Sequence, residues 1–291
     1  MSSFLAPAKI NLALHVVGRR GDRYHLIETL AVFTGFGDRI TVSPSQRDEF
    51  RVAGPYGDGI PLDSGNLVLK ARDAFRMAFP GGAPLSVILE KNLPPSSGIG
   101  GGSSDAAAML RALRRHHDAT LSDEALLEVA AKLGADLPMC LAARPLVARG
   151  IGERIEILRG FPSLPMVLVN PGVEVSTPAV FRALSKRDNA PLPSRPPSDP
   201  KHLFAWLEQT RNDLQSPACG IAPPISDVLR TLENLGAAFA RMSGSGATCF
   251  GLFETMDAAQ NGAGLIRERQ PDWFVTETRS MASTEDPDDG N

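Results

Sequence analysis

At 291 residues the chain is long enough for about two domains and a sizeable buried core. Its 43% hydrophobic and 22% charged residues exclude disorder throughout, and 30 basic against 33 acidic side chains, a net charge of −3, leave no electrostatic footprint for nucleic acid or anionic lipid. No apolar run approaches the roughly 20 residues that span a bilayer. The three cysteines (Cys140, Cys219 and Cys249) show no CxxC spacing, and no charged segment precedes the first apolar stretch. A soluble, cytoplasmic globular protein is expected, without a zinc site, a disulfide framework or a signal peptide.

In chain order, LAPAKINLALHVVGRR alternates as a strand does, with Ile10, Leu12 and Leu14 on one face and a turn at the Gly18 to Gly21 cluster. HLIETLAVFTGFGDRITVSP predicts two further strands separated by the TGFGD turn. Leu67, Ala71, Ala74, Phe75 and Ala78 recur at helical spacing, and Gly81 and Gly82 end that helix. Leu85, Val87 and Leu89 alternate in the next strand. A glycine-rich loop leads to a helix from about Ser104 to His117. A second helix is framed by Ser122 as N-cap, Asp123 and Glu124 in its first turn, Lys132 in its last and Gly134 beyond it.

From about Pro162 the pattern restarts. LPMVLVNP is apolar almost throughout, as a strand buried on both faces would be. The stretch from Ser185 to Pro200 is proline-rich and charged and reads as a loop. ISDVLRTLENLG predicts a helix, and AAFARMSGSGATCFGLFE a strand, a tight glycine turn and a strand. The acidic tail, residues 282–291, has no apolar anchors and is expected to be disordered. Strands and helices mix without strict βαβ alternation, which favours an α+β fold.

LPPSSGIGGGSSDAAAML, residues 93–110, is the most informative segment. Gly98, Gly100, Gly101 and Gly102 lie between a predicted strand and a predicted helix, where backbone N–H groups can close on an anion with no Cβ in the way. Ser103 and Ser104 open the helix and add hydroxyls and the positive end of its dipole. The segment is a phosphate cradle, with a bare strand-to-helix turn as the bland alternative. Walker A would need a lysine directly after the last glycine, where Ser103 stands, and the dinucleotide fingerprint would need a glycine at 103.

PAKINLAL (7–14), LPPSSGIGGGSSDAA (93–107) and MSGSGATCFGLF (242–253) together resemble the three motifs of the GHMP kinases, ATP-dependent kinases of small molecules. RGDRYHLIETL (20–30), GADLPMC (134–140), STPAVF (176–181) and RNDLQSP (211–217) bring the chain closest to the members of non-mevalonate isoprenoid precursor synthesis. The resemblance implies a two-domain fold: residues 1–160 related to the second domain of ribosomal protein S5, and residues 161–281 ferredoxin-like, with the active site between them. It implies ATP as co-substrate, Mg²⁺ as cofactor and the 2-hydroxyl of 4-diphosphocytidyl-2-C-methyl-D-erythritol as acceptor. Neither a metal ligand nor an oligomeric state is encoded in these motifs; a monomer or weak dimer is the expectation.

By the same resemblance Lys9 and Asp136 are the catalytic pair, the lysine stabilising charge on the transferring phosphoryl group and the aspartate taking the hydroxyl proton. ATP falls to Pro94, Pro95, Ser96, Ser97, Gly98, Ile99, Gly100, Gly101, Gly102, Ser103 and Ser104. Asn11, on the strand face of Lys9, and Thr177 would touch the acceptor. Tyr24 and Phe181 would sandwich the cytosine ring while His25 bonds its polar edge. Each has a plainer reading: a snorkelling lysine, a turn aspartate, a strand pair and a core phenylalanine. Gly244, Ser245 and Gly246 form a tight turn that either approaches substrate or simply closes a hairpin. Asp105 stands where the family often has asparagine, and an acid there points away from triphosphate or sits near magnesium. Two other functions compete, a GHMP kinase for homoserine or a mevalonate-like alcohol, and a non-catalytic nucleotide sensor.

Overall fold

The structure, a computed structural model, describes residues 1–22, 24–116, 121–285, 287 and 288. Strand β1 (Ser2–Arg19) pairs antiparallel along almost its whole length with β2 (His25–Pro44). Here the expectation of two strands around TGFGD is corrected, because β2 is one strand of 20 residues. Gly37 crosses so close to β1 that a Cβ on it would lie 2.1 Å from the Ala6 carbonyl oxygen. The register also shifts between Pro7 and Lys9, so this glycine lets two bulged strands touch and does not turn the chain.

Strand β3 (Glu49–Ala53), which the alternation did not reveal, crosses over through α1 (Leu67–Ala78) to lie parallel to β4 (Leu85–Glu90). Asn66 caps α1 by accepting from the Val68 N–H at 2.9 Å. Helix α2 (Gly101–His116) starts three residues earlier than expected, and His117 lies outside the described residues. Helix α3 (Asp123–Leu133) has its Ser122 cap as expected, and a short α4 (Leu137–Ala142) follows. Strands β5 (Leu146–Gly150) and β6 (Arg154–Ile157) complete a sheet ordered β3-β4-β2-β5-β6, with β1 on the other edge of β2. Phe4, Ile40, Phe75, Leu110 and Leu126 fill the space between this sheet and its helices.

The second sheet begins with β7 (Pro165–Asn170). Helices α5 (Thr177–Arg182), α6 (Pro200–Glu208), α7 (Gln215–Ile221) and α8 (Pro224–Asn234) precede β8 (Phe239–Met242) and β9 (Cys249–Leu252), and α9 (Met256–Arg269) precedes β10 (Phe274–Arg279). All its pairs are antiparallel, in the order β10-β7-β9-β8. Val167, Val169, Val228, Leu232 and Ile266 bury one face under α8 and α9. On the other face Met166, Leu168, Phe250 and Leu252 pack with Ile10, Leu12 and Leu30 of the first sheet. Burial on both faces accounts for the unbroken apolar run of β7.

Residues 185–199 carry no helix or strand and are held to β1 by the Asn189 N–H on the Val16 carbonyl at 3.1 Å. The tail differs from expectation in its described part. The Gly160 N–H donates to Ser283 Oγ at 2.8 Å, and Asp288 pairs with Arg111 at 2.9 Å, so polar groups supply the anchors that apolar residues do not. Residues 286 and 289–291 lie outside the described residues.

Candidate active site

Three backbone segments remote in sequence meet behind Lys9. The Lys9 N–H donates to the Ile99 carbonyl at 2.9 Å, and the Asn11 N–H to Ser243 Oγ at 3.1 Å. Ser243 Oγ in turn donates to the Gly98 carbonyl at 3.2 Å, and the Thr248 N–H to the Ser97 carbonyl at 3.1 Å. Asn212 clamps the second glycine turn from behind, its side-chain amide donating to the carbonyls of Met242 and Gly244 at 2.8 Å each. The first strand, the glycine-rich loop and the 243–246 turn form one rigid wall.

The glycines serve what lies behind that wall. Gly98 (φ +78°) carries no Cβ where one would come within 2.6 Å of the Gly246 carbonyl oxygen and 2.7 Å of Ser243 O. A Cβ on Gly100 (φ +68°) would press on the Lys9 side chain at 3.3 Å. A Cβ on Gly101 would point into the protein, toward Asp38 and Lys91. Facing the cleft are Ser96, Ser97, Gly98 and the run Gly100 to Ser103. The Ser104 N–H is given to the Gly100 carbonyl at 2.8 Å. Gly101, Gly102 and Ser103 therefore supply the helix-start N–H groups, which have no partner within a helix and suit an anion. Pro94, Pro95, Ile99 and Ser104 are not on the cleft wall. Ile99 is fully buried, the Pro94 carbonyl accepts from Ser97 Oγ at 2.6 Å, and the Ser104 hydroxyl donates to the Pro7 carbonyl at 2.7 Å.

Lys9 is almost fully buried, and its Nζ reaches across 127 residues of sequence to Asp136 Oδ2 at 2.7 Å. Asp136 begins α4 without capping it and keeps 42% of its side chain exposed to the cleft. Asn11 is held by donating to Thr29 Oγ1 at 2.8 Å. Cys140, beside Lys9, is no nucleophile, since burial pushes its thiol up to about 11.

Farther along the cleft, Thr177 Oγ1 and Ser245 Oγ share a hydrogen bond at 2.7 Å. The His25 imidazole stacks on Phe181, with ring centroids 4.6 Å apart and planes inclined by 23°. Tyr24 is exposed, with the Arg20 guanidinium 5.7 Å from its ring centroid. It is thus His25, and not Tyr24, that lies against Phe181, and the expected Tyr24–Phe181 sandwich is not seen. Burial first, and then the charges of Arg19 and Arg187, hold the imidazole below its usual pKa, and its Nε2 is buried without a partner. The cleft measures about 1200 Å³, beyond the roughly 300–1,000 Å³ of a pocket for one small molecule.

Models of the GHMP kinase N-terminal and C-terminal domains match residues 66–144 and 202–268. The chain is 57% identical to a 4-diphosphocytidyl-2-C-methyl-D-erythritol kinase of Mesorhizobium japonicum, over 96% of this chain and 95% of that one. Its identity to the enzyme of that name from Agrobacterium fabrum is 51%, over 95% of each. The chain belongs to the GHMP kinase family. A crystal structure of a 4-(cytidine 5'-diphospho)-2C-methyl-D-erythritol kinase superposes with TM-score 0.78 at 34% identity, covering 96% of this chain and 98% of the other. A homoserine kinase from Cytophaga hutchinsonii, at 16% identity and TM-score 0.71 over 98% and 96%, shares the fold.

As a GHMP kinase the chain is ATP-dependent, and its fold is the α+β, two-domain fold of that family. Sequence reasoning missed three arginines of the cleft, Arg19, Arg182 and Arg187, because isolated basic residues at a strand end, a helix end and in a loop leave no periodic signal. It also left Asp105 undecided. That side chain points away from the cleft, where the Lys91 ammonium donates to it at 2.8 Å, and does not line the place of a triphosphate.

Proposed function

We propose that this chain transfers the γ-phosphoryl group of ATP to the 2-hydroxyl of 4-diphosphocytidyl-2-C-methyl-D-erythritol, with Lys9 and Asp136 as the catalytic pair. The observation that carries this reading is the 2.7 Å Lys9–Asp136 pair, lying in one cleft with the glycine loop and with His25 and Phe181. The relatives of that name support the choice of acceptor.

The N–H groups of Gly98 and of Gly100 to Ser103 hold the nucleotide phosphates. Asp136 accepts the hydroxyl proton as the acceptor oxygen bonds to the γ-phosphorus and the bond from that phosphorus to the β–γ bridging oxygen breaks, releasing ADP. Lys9 stabilises the negative charge spread over the transferring group. Such transition states are loose, so positioning and charge stabilisation outweigh proton removal. His25 and Phe181, with Tyr24 at the rim, receive the cytosine, and Thr177 and Asn11 bound the sugar alcohol. Among the described residues no group of three or more His, Cys, Asp or Glu is arranged to hold a metal ion. Mg²⁺ takes most of its ligands from phosphate and water, so the nucleotide itself would hold it with few protein ligands. Bound with the nucleotide, the cation would neutralise phosphate charge.

In this reading residues 1–160 form the unit that carries Lys9, the loop and Asp136, and residues 161–281 the unit that adds Thr177, Phe181 and the 244–246 turn. No described helix is long and apolar enough to cross a membrane; we place the reaction in the cytoplasm, where ATP is made available.

The test is release of ADP with a panel of acceptors. Turnover is expected with the cytidylyl acceptor and not with unconjugated methylerythritol, homoserine or mevalonate. Turnover with homoserine or mevalonate alone would move the chain to another GHMP acceptor class. Nucleotide binding with no turnover on any acceptor would make it a sensor.

A further inference from the structure

Behind the phosphate loop lies a buried cluster of one cation and two acids. Lys91 follows the last residue of β4, Asp38 lies on β2 and Asp105 at the start of the second turn of α2, with side-chain exposures of 4%, 0% and 4%. The Lys91 ammonium donates to both Asp38 Oδ2 and Asp105 Oδ2. Asp38 Oδ1 also accepts the backbone N–H groups of Asn92 and Leu93, at 2.6 and 2.8 Å. Asp105 Oδ1 is buried and has no partner. A Cβ on Gly101 would stand 3.5 Å from both Asp38 Oδ2 and Lys91 Nζ.

Two consequences follow. One buried ammonium does not neutralise two buried carboxylates, and an unpaired buried charge costs several kcal/mol. The donors crowd onto Asp38, which marks it as the charged acid. Asp105 has a single donor and an orphaned oxygen, so it is the acid whose charge the cluster compensates least. Moreover, the cluster grips both ends of the loop, holding Asn92 and Leu93 where it leaves β4 and, through Asp105, the helix α2 just past its first turn.

We propose that Asp105 is kept as a neutral acid and that, with Lys91 and Asp38, it positions the phosphate loop by joining its two ends. This rests on the reading of the loop as the ATP cradle. Burial, reinforced by the Asp38 charge and opposed by Lys91, pushes the Asp105 carboxyl well above the usual carboxylate range. An acid so raised favours folding below its unfolded value and loses that contribution as pH rises through its folded value.

Asp105→Asn keeps the shape and an oxygen that accepts from Lys91 without the charge, whereas Asp105→Ala leaves Lys91 and Asp38 as a matched pair but unties the helix. Asp105→Asn should hold the ATP KM within about twofold, and Asp105→Ala should raise it about tenfold, the usual worth of one lost buried hydrogen bond. The acceptor KM should move less than about twofold in both, a split that general loss of fold would not give. Thermal unfolding of Asp105→Asn should gain on the parent chain as pH rises from about 4 to about 8. Two variants alike in ATP KM, or an Asp105→Asn chain less stable than the parent at about pH 8, would overturn the proposal. Failure of the cradle reading is separable: the amide resonances of Gly98 to Ser103 would then stay unmoved when a non-hydrolysable ATP analogue is added to the unmutated protein.

Discussion

Asp136→Asn and Lys9→Ala are each expected to fold normally and to lose roughly 10²–10³ in turnover, the usual worth of one charge-stabilising group. Normal folding follows from what each change leaves behind. Without Lys9, Asp136 still has 42% of its side chain in water, so no buried carboxylate is stranded. With asparagine at 136, the amide oxygen can still accept from the Lys9 ammonium. ATP affinity should be nearly unchanged in Asp136→Asn, because the loop is held by the Lys9 backbone N–H and by Ser243, neither of which the substitution touches. Steady-state kinetics beside calorimetry with a non-hydrolysable ATP analogue separates the two effects. A folded Asp136→Asn chain with a rate within a few-fold of the parent would remove the aspartate from the chemistry.

The second large effect is on the acceptor base. Cytosine presents an N4 donor beside an N3 acceptor, and uracil an O4 acceptor beside an N3 donor. A buried site that pairs with one leaves polar groups unpaired with the other, and such mismatches discriminate by about 10⁴ or more. The uridine analogue should therefore be a very poor acceptor. The buried, unpartnered Nε2 of His25 is the polar atom available for this reading, on an imidazole whose lowered pKa favours the neutral form. His25→Ala should lower kcat/KM for the cytidine acceptor and narrow the preference. Phe181→Ala should cost roughly 1–3 kcal/mol, the worth of one base–aromatic stack, without changing which base is preferred. Equal use of both bases by the parent chain, or two mutants impaired in ATP binding instead, would return His25 and Phe181 to the core.

Much of this was legible in the sequence, and the exceptions share a cause. Period-two alternation placed Lys9 and Asn11 on one face, four glycines before two serines marked the loop that lines the cleft, and Ser122 marked a helix start. What failed was whatever depends on a distant segment. TGFGD reads as a turn until Ala6 is seen to lie against Gly37. Gly101 and Gly102 read as loop, yet they are the first turn of α2. Lys91 gave no signal at all, because a lysine after a strand is ordinarily a solvated end, and only tertiary packing brings it between Asp38 and Asp105. The Lys9–Asp136 pair came from family resemblance, since no periodicity links residues 127 positions apart.

The most direct measurement is a crystal structure of the chain with a non-hydrolysable ATP analogue and the cytidylyl acceptor bound together. The account predicts the γ-phosphate against the N–H groups of Gly98 to Ser103, the acceptor 2-hydroxyl within hydrogen-bond reach of Asp136, and the cytosine at Phe181 with its polar edge on His25. An acceptor whose 2-hydroxyl lay out of reach of both Asp136 and the γ-phosphate would contradict it.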